Sequence, residues 1–292
     1  MNEAGFIAAL RQLAGHPAAR GLADDCAVLA LGGETLVLTH DALAEGVHFL
    51  PGMDGADIAW RLVATNLSDL AAKGAAPLGV LLSYALGADD ARFLAGLAEA
   101  LAHYAVPLLG GDTISHLAQQ VVSLTAIGRA TCAPVPDRRG ARAGDTLWIT
   151  GAVGAAMLGL EAIRAGNQDP AASLAYRRPR ALLAEGRALA PQVTAMMDVS
   201  DGLLLDAWRM ARASGITLAI DTAAVPIATP ETRRAEALRW GDDYQLLFTL
   251  PAGAVPAVAA AAIGAALPDA GAPLLVDGAL VADSELLGYQ HR

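Results

Sequence analysis

Ala195-Met196-Met197-Asp198-Val199-Ser200-Asp201-Gly202 joins a short apolar segment to the run Leu203–Ser214, whose apolar spacing predicts a helix. Gly215 stops that helix, and Ile216-Thr217-Leu218-Ala219-Ile220 reads as the next strand. A strand, a helix and a strand in succession form the unit of layered α/β proteins. The same alternation recurs outward in both directions. Thr35-Leu36-Val37-Leu38-Thr39 predicts a strand ending at Asp41, and residues 57–73 a helix stopped by Gly74, with Pro77 beyond. Residues 106–109 and 121–127 read as strands, as do Thr146-Leu147-Trp148-Ile149 and residues 244–250. The implied class is α/β or α+β. Breaker residues gather at Ala133-Pro134-Val135-Pro136-Asp137, so a boundary is expected near Pro136, with halves 1–136 and 137–292.

The chain has 292 residues, 54% of them hydrophobic and 17% charged, with a formal net charge of −10. An acidic surface excludes sequence-independent nucleic-acid binding and attachment to anionic membranes, since both need basic patches. Residues 244–268 are uncharged and exceed the roughly 20 residues that span a bilayer. However, Pro251, Gly253 and Pro256 interrupt them, and a strand followed by an alanine-rich helix is the expectation. The start of the sequence has no basic run before an apolar core, so no secretory leader is expected. Cys26 and Cys132 lie far apart without a metal-spacing motif, which suits a reduced, cytoplasmic protein. Lys73 is the only lysine.

Acidic residues recur where elements end or where helix formers are expected. Asp24-Asp25 precedes a strand, and alone would be turn chemistry. Asp41 closes Thr39-His40-Asp41, where an N-cap is the plain alternative. Asn66-Leu67-Ser68-Asp69 puts three poor helix formers inside a helix, a local cost that needs a reason. Gly110-Gly111-Asp112-Thr113 follows an apolar strand, as a hairpin turn or as a close approach to a ligand. Asp198, Ser200 and Asp201 crowd oxygen donors next to a helix N-terminus that attracts phosphate. Hard carboxylate oxygens in this number suit Mg²⁺, which shares its shell with waters and substrate phosphates. A carboxylate about 4 Å from a phosphate oxygen repels it by roughly 4 kcal/mol at an effective dielectric near 20, so such a site needs bridging cations. No Walker-type loop exists, Gly151-Ala152-Val153-Gly154 is only a fragment of a dinucleotide fingerprint, and the histidines have no zinc spacing.

In this order the motifs resemble those of the thiamine-monophosphate kinases, within the superfamily typified by aminoimidazole ribonucleotide synthetase. The matching pieces are Asp24-Asp25-Cys26-Ala27-Val28, Thr39-His40-Asp41, Glu45-Gly46-Val47-His48-Phe49 and Asn66-Leu67-Ser68-Asp69. Further on come Gly110-Gly111-Asp112-Thr113, Asp198-Val199-Ser200-Asp201-Gly202 and Gly241-Asp242-Asp243-Tyr244. The resemblance implies a two-domain fold of α/β (α+β) class, an N-terminal mixed sheet with helices and a C-terminal α/β sandwich. Residues 1–136 would bind ATP and Mg²⁺ and dimerise, and residues 137–292 would complete the site. It further implies a cytoplasmic homodimer that moves the ATP γ-phosphate onto thiamine monophosphate by direct in-line transfer.

Carried over, Asp25, Asp41, Asp69, Asp112, Asp198 and Asp201 match Mg²⁺ ligands, assisted by Thr39 and Ser200, with Asp112, Asp198 and Asp201 closest to the chemistry. Gly111, Asp112, Arg138 and Ser200 match ATP contacts, and His48, Asp242 and Tyr289 match substrate contacts. The sequence departs from the family pattern at Ala23, His40, Ala42, Lys73 and the shortened Trp240-Gly241-Asp242. The alternatives are another ATP-using enzyme of the superfamily with a different acceptor, or a nucleotide sensor without turnover. Selenophosphate synthesis would want a lysine near the N-terminus, and none precedes residue 73.

Overall fold

The computed structural model describes residues 3–87, 89–115 and 119–290. In chain order, the first half contains α1 (Glu3–Leu10), β1 (Ala27–Leu31), β2 (Glu34–Ala44), α2 (Gly55–Ala72), β3 (Ala75–Ala85), α3 (Asp90–Tyr104), β4 (Leu108–Ile114) and β5 (Val121–Ala130). The second half contains β6 (Thr146–Ile149), α4 (Ala155–Arg164), α5 (Leu174–Arg177), α6 (Leu183–Leu189), β7 (Ala195–Asp198), α7 (Leu203–Ser214), β8 (Thr217–Ile220) and α8 (Arg234–Ala237). Four strands close it: β9 (Leu246–Leu250), β10 (Ala261–Leu267), β11 (Leu274–Val276) and β12 (Ala279–Val281). The strands form a five-stranded sheet, β1-β2-β5-β3-β4, and a seven-stranded sheet, β12-β11-β8-β10-β6-β9-β7. Each sheet has one parallel pair, β3 with β4 and β8 with β11. The expected mixed α/β architecture is present.

α2 is the hinge of the whole arrangement. Asp54 caps its start by accepting from Ala56 N, and Gly74 at φ 59° ends it. Every residue of α2 except Asp69 is buried. A helix buried all round must be covered on all sides. Here β2, β3 and β5 cover one side, and α3, α6 and β7 the others. β5 shows how the sheet meets it: Val122, Leu124 and Ala126 alternate inward and have no exposed surface.

The second half builds its own core around α7, but two of its strands serve both cores. In β9, Leu246, Phe248 and Leu250 face the α2 side while Leu247 joins the α7 side. In β7, Met196 and Met197 divide in the same way. Burying an apolar side chain of this size stabilises the fold by about 1.5–3 kcal/mol. The strand end that carries Asp198 is therefore clamped between two cores.

Three local expectations are corrected. The alanine-rich run after β9 is strand β10, paired to β6 on one edge and β8 on the other. Satisfying both backbone edges outweighs alanine's helix preference. Asp41 lies inside β2 rather than at its end, because β2 pairs with β5 as far as Ala44. Gly110-Gly111 lies within β4 and makes no turn. A Cβ at Gly111 would lie 1.9 Å from the Leu82 carbonyl oxygen, so the close approach to β3 requires glycine.

Candidate active site

The helix-averse residues of α2 each have a partner across an element boundary. Asn66 Oδ1 accepts from Asp41 N at 3.0 Å, and its Nδ2 donates to Leu62 O at 2.9 Å. The Ser68 hydroxyl donates to Asp198 Oδ2 at 2.6 Å, and the Thr39 hydroxyl donates to Asp69 Oδ2. One turn of helix thus ties β2 on one side to β7 on the other. Asp25, Asp69 and Asp198, from three separate segments, bring carboxylate oxygens within 4.8 Å of one another.

The electrostatics of that group are strained. Burial, then the charges of Asp41 and Asp198, push the Asp69 carboxyl well above the ordinary range. Burial pushes Asp198 up to about 6, with Asp206 and Asp41 adding repulsion and the Ser68 bond opposing it. Burial likewise raises Asp41. Crowded carboxylates of this kind want a proton or a cation. The donors are hard oxygens without imidazole, and the neighbouring Cys26 thiol is buried and held protonated by that burial. This donor set fits Mg²⁺.

Residues 199–202 run from β7 to α7 and act as a strip to which distant segments bond. Tyr244 N donates to Val199 O at 2.8 Å, Asp242 N to Ser200 O at 2.8 Å and Tyr289 N to Asp201 O at 2.9 Å. The approaches need glycine: a Cβ at Gly241 would lie 2.3 Å from Ser200 O, and one at Gly288 would lie 2.2 Å from Asp201 O. The strip is held from below by Asp206. Its Oδ2 accepts from Ser200 N and Asp201 N, both at 3.0 Å, and its Oδ1 pairs with Arg209 at 2.9 Å. Arg209 also reaches Asp201 Oδ2 at 2.5 Å. Burial raises the Asp206 pKa to about 6, against the pull of Arg209.

Beside this strip, Arg61 of α2 joins two of the expected substrate residues. Its guanidinium donates to His48 O at 3.2 Å and to Asp242 Oδ1 at 3.1 Å, and stacks 4.3 Å from the centre of the Tyr176 ring. The Tyr244 hydroxyl donates to the same Asp242 oxygen at 3.0 Å. Asp242 is thereby aimed by two donors. The His48 ring is fixed as well, Nδ1 accepting from Ala44 N at 3.0 Å. Tyr289 is 45% exposed.

On the opposite flank, Arg138 donates to Asp25 Oδ1. Gly111 and Asp112 lie on the fully exposed edge strand β4, opposite Leu82 and Ser83. No hydrogen bond or ion pair among the described residues ties the Asp112 side chain to the Asp25–Asp69–Asp198 group. The Gly151–154 fragment makes no phosphate cradle either. The start of α4 is filled by the Asp243 carboxylate, which accepts from Gly154 N at 2.7 Å, Ala155 N at 3.1 Å and Ala156 N at 3.4 Å. Burial nevertheless raises that carboxyl to about 7.

Residues 23–130 match the family of AIR synthase related proteins, N-terminal domain, and residues 142–272 match its C-terminal domain. The thiamine-monophosphate kinase of Escherichia coli (strain K12) is 34% identical, over 92% of this chain and 86% of the relative. That of Caulobacter vibrioides is 38% identical, over 88% and 79%. The chain belongs to the thiamine-monophosphate kinase family. The solved structure of AaThiL complexed with AMPPCP and TMP superposes with a TM-score of 0.88 at 29% identity, covering 100% of this chain and 97% of the other.

Three residues of the site go beyond the motifs that carried the family resemblance. Arg61 is a charged residue between Trp60 and Leu62, itself buried in a helix buried almost throughout, a visible anomaly. Lys73, noted only as a departure from the family pattern, is fully buried beside Asp24 and Asp25. Asp206 reads in sequence as an ordinary first-turn acid of α7, and only the fold shows that it supports Ser200 and Asp201.

Proposed function

We propose that this chain phosphorylates thiamine monophosphate with ATP, giving thiamine diphosphate by direct in-line transfer that depends on Mg²⁺. The observation that carries the reading is the convergence of Asp25, Asp69 and Asp198 from three segments into one acidic group, beside a loop that opens a helix. When bound there, Mg²⁺ supplies charge neutralisation and orientation for the phosphates. The chain's own residues do the positioning. Asp25, Asp41, Asp69, Asp112, Asp198 and Asp201, with Thr39, are assigned to the metal ions. Gly111, Asp112, Arg138 and Ser200 are assigned to ATP. His48, Asp242 and Tyr289 are assigned to thiamine monophosphate, Asp242 held by Arg61 and Tyr244, and Tyr289 stacking on a flat ring. Holding donor and acceptor phosphates in line converts a bimolecular reaction into a unimolecular one, so no covalent intermediate is required.

The reading extends to assembly. Leu81, Leu108, Leu109, Ile114 and Val121 are all more than a third exposed on the first sheet, and β4 is its edge strand. Apolar surface at a sheet edge is suited to pairing with a second copy, and supports a homodimer formed by the half that ends near Pro136. The test of the reaction is incubation with thiamine monophosphate and ATP chirally labelled at the γ-phosphorus. Thiamine diphosphate with inverted configuration supports direct transfer. Retention would refute the in-line step, and absence of product would refute the activity.

A further inference from the structure

The acidic group divides into two parts by the partners of its carboxylates. The only lysine of the chain, Lys73, has no exposed surface. Its Nζ donates to Asp24 Oδ1 at 2.6 Å, to Asp25 Oδ2 at 2.9 Å and to Met196 O at 3.4 Å. An ammonium has three donors, so each is used. The other oxygens of the two aspartates are also taken by cations, Asp24 Oδ2 by Arg20 at 2.5 Å and Asp25 Oδ1 by Arg138. Asp69 and Asp198 receive hydroxyl bonds from Thr39 and Ser68, and among the described residues no cation forms an ion pair with either.

We propose that Lys73 is a resident cation of the site: its ammonium fills the place between Asp24 and Asp25 that a further divalent ion would otherwise take, while the group of Asp25, Asp69 and Asp198 keeps the Mg²⁺ assigned to it. This rests on the reading of the acidic group as a Mg²⁺ site. Lys73 is suited to the task because its backbone is fixed. It closes α2, its N–H bonded to the last carbonyls of the helix, immediately before Gly74. A tethered charge cannot be diluted away, while Arg20 and Arg138 alone would leave Asp24 Oδ1 and Asp25 Oδ2 without the donor that Lys73 gives them, a loss that an entering cation would offset. Lys73 is a positioning residue: it acts on phosphate chemistry only by fixing Asp25 and by setting how many ions the site takes up.

The test counts metal ions. Mn²⁺, read by the loss of its free EPR signal, is titrated into the wild-type chain and into Lys73→Met. The variant is expected to bind about one further ion per chain and to gain more in Tm from Mn²⁺ than the wild type does. The double variant Lys73→Met with Asp24→Asn should lose that excess. An equal count in wild type and Lys73→Met, with no excess gain in Tm, overturns the inference while leaving the metal site standing. Absence of Mn²⁺ binding in both overturns the inference and the metal reading together. Should Lys73→Met not fold, Asp24→Asn alone decides. It keeps the wild-type ion count if Asp24 belongs to Lys73, and loss of an ion from that variant overturns the proposal.

Discussion

Replacing Asp206 by alanine should both loosen the fold and disable the site, and the sizes can be worked from its contacts. The side chain is fully buried and bonds Ser200 N and Asp201 N at 3.0 Å and Arg209 at 2.9 Å. Removing it strands the N–H groups of two half-buried residues, at up to about 1–3 kcal/mol each. Against this, the carboxyl is raised from 3.8 to about 6, so the ionised form already costs roughly 3 kcal/mol at neutral pH, and its removal recovers that much. Adding the loss of packing, the net destabilisation comes to about 2 kcal/mol. Arg209 keeps its bond to Asp201, so the helix should stay in place. The larger effect is on Ser200 and Asp201, whose backbone is no longer held. A loss of about 1.4 kcal/mol of transition-state stabilisation is tenfold in rate, and at least that is expected. Asp206→Asn retains one acceptor oxygen and should fall between. Urea unfolding and initial rates of thiamine diphosphate formation read the two effects separately. Wild-type urea midpoint together with wild-type rate in Asp206→Ala would refute the supporting role.

Asp198→Asn and Asp69→Asn should each remove most activity with circular dichroism unchanged; wild-type turnover in either would sink their assignment to the metal. Tyr289→Ala should raise the KM for thiamine monophosphate and leave kcat close to normal, since its backbone bond to Asp201 survives; an unchanged KM counts against stacking. Asp198, Asp206 and Asp243 have folded pKa values of about 6, about 6 and about 7, above 3.8 unfolded, so the folded chain holds more protons between those limits. The stability these groups contribute to the metal-free protein is therefore present below about 4 and lost progressively as pH rises toward 6 to 7. Lowering the pH from 7 to 5 in EDTA should raise the unfolding free energy by on the order of 1 kcal/mol per group. A flat or falling urea midpoint over that range would contradict the assignment of those shifts.

How much was legible in the sequence depends on the range of the interaction. The cost of Asn66, Ser68 and Asp69 in a helix interior is local, and it pointed correctly to residues with partners outside the helix. The alternation around Asp198 gave the layers for the same reason, since periodicity is a property of neighbours. The helix expected after β9 failed because composition reports local preference alone, whereas β10 is fixed by pairing with two strands more than 40 residues away. Asp206 and Lys73 were silent as to role because their partners are set by the turn at residues 199–202 and by the packing of α2 on β7. The Gly151–154 fragment, set aside in the sequence, does open a helix, but the anion that fills its start is the chain's own Asp243.

The central claim is that this acidic group holds the ions required for phosphoryl transfer to thiamine monophosphate. The direct test is the initial rate of thiamine diphosphate formation from ATP and thiamine monophosphate, measured with Mg²⁺ and again with excess EDTA. The account predicts product with Mg²⁺ and none with EDTA, restored when Mg²⁺ is returned. Product formed at an equal rate in EDTA, or no product under either condition from a chain that binds Mg-ATP, would contradict it.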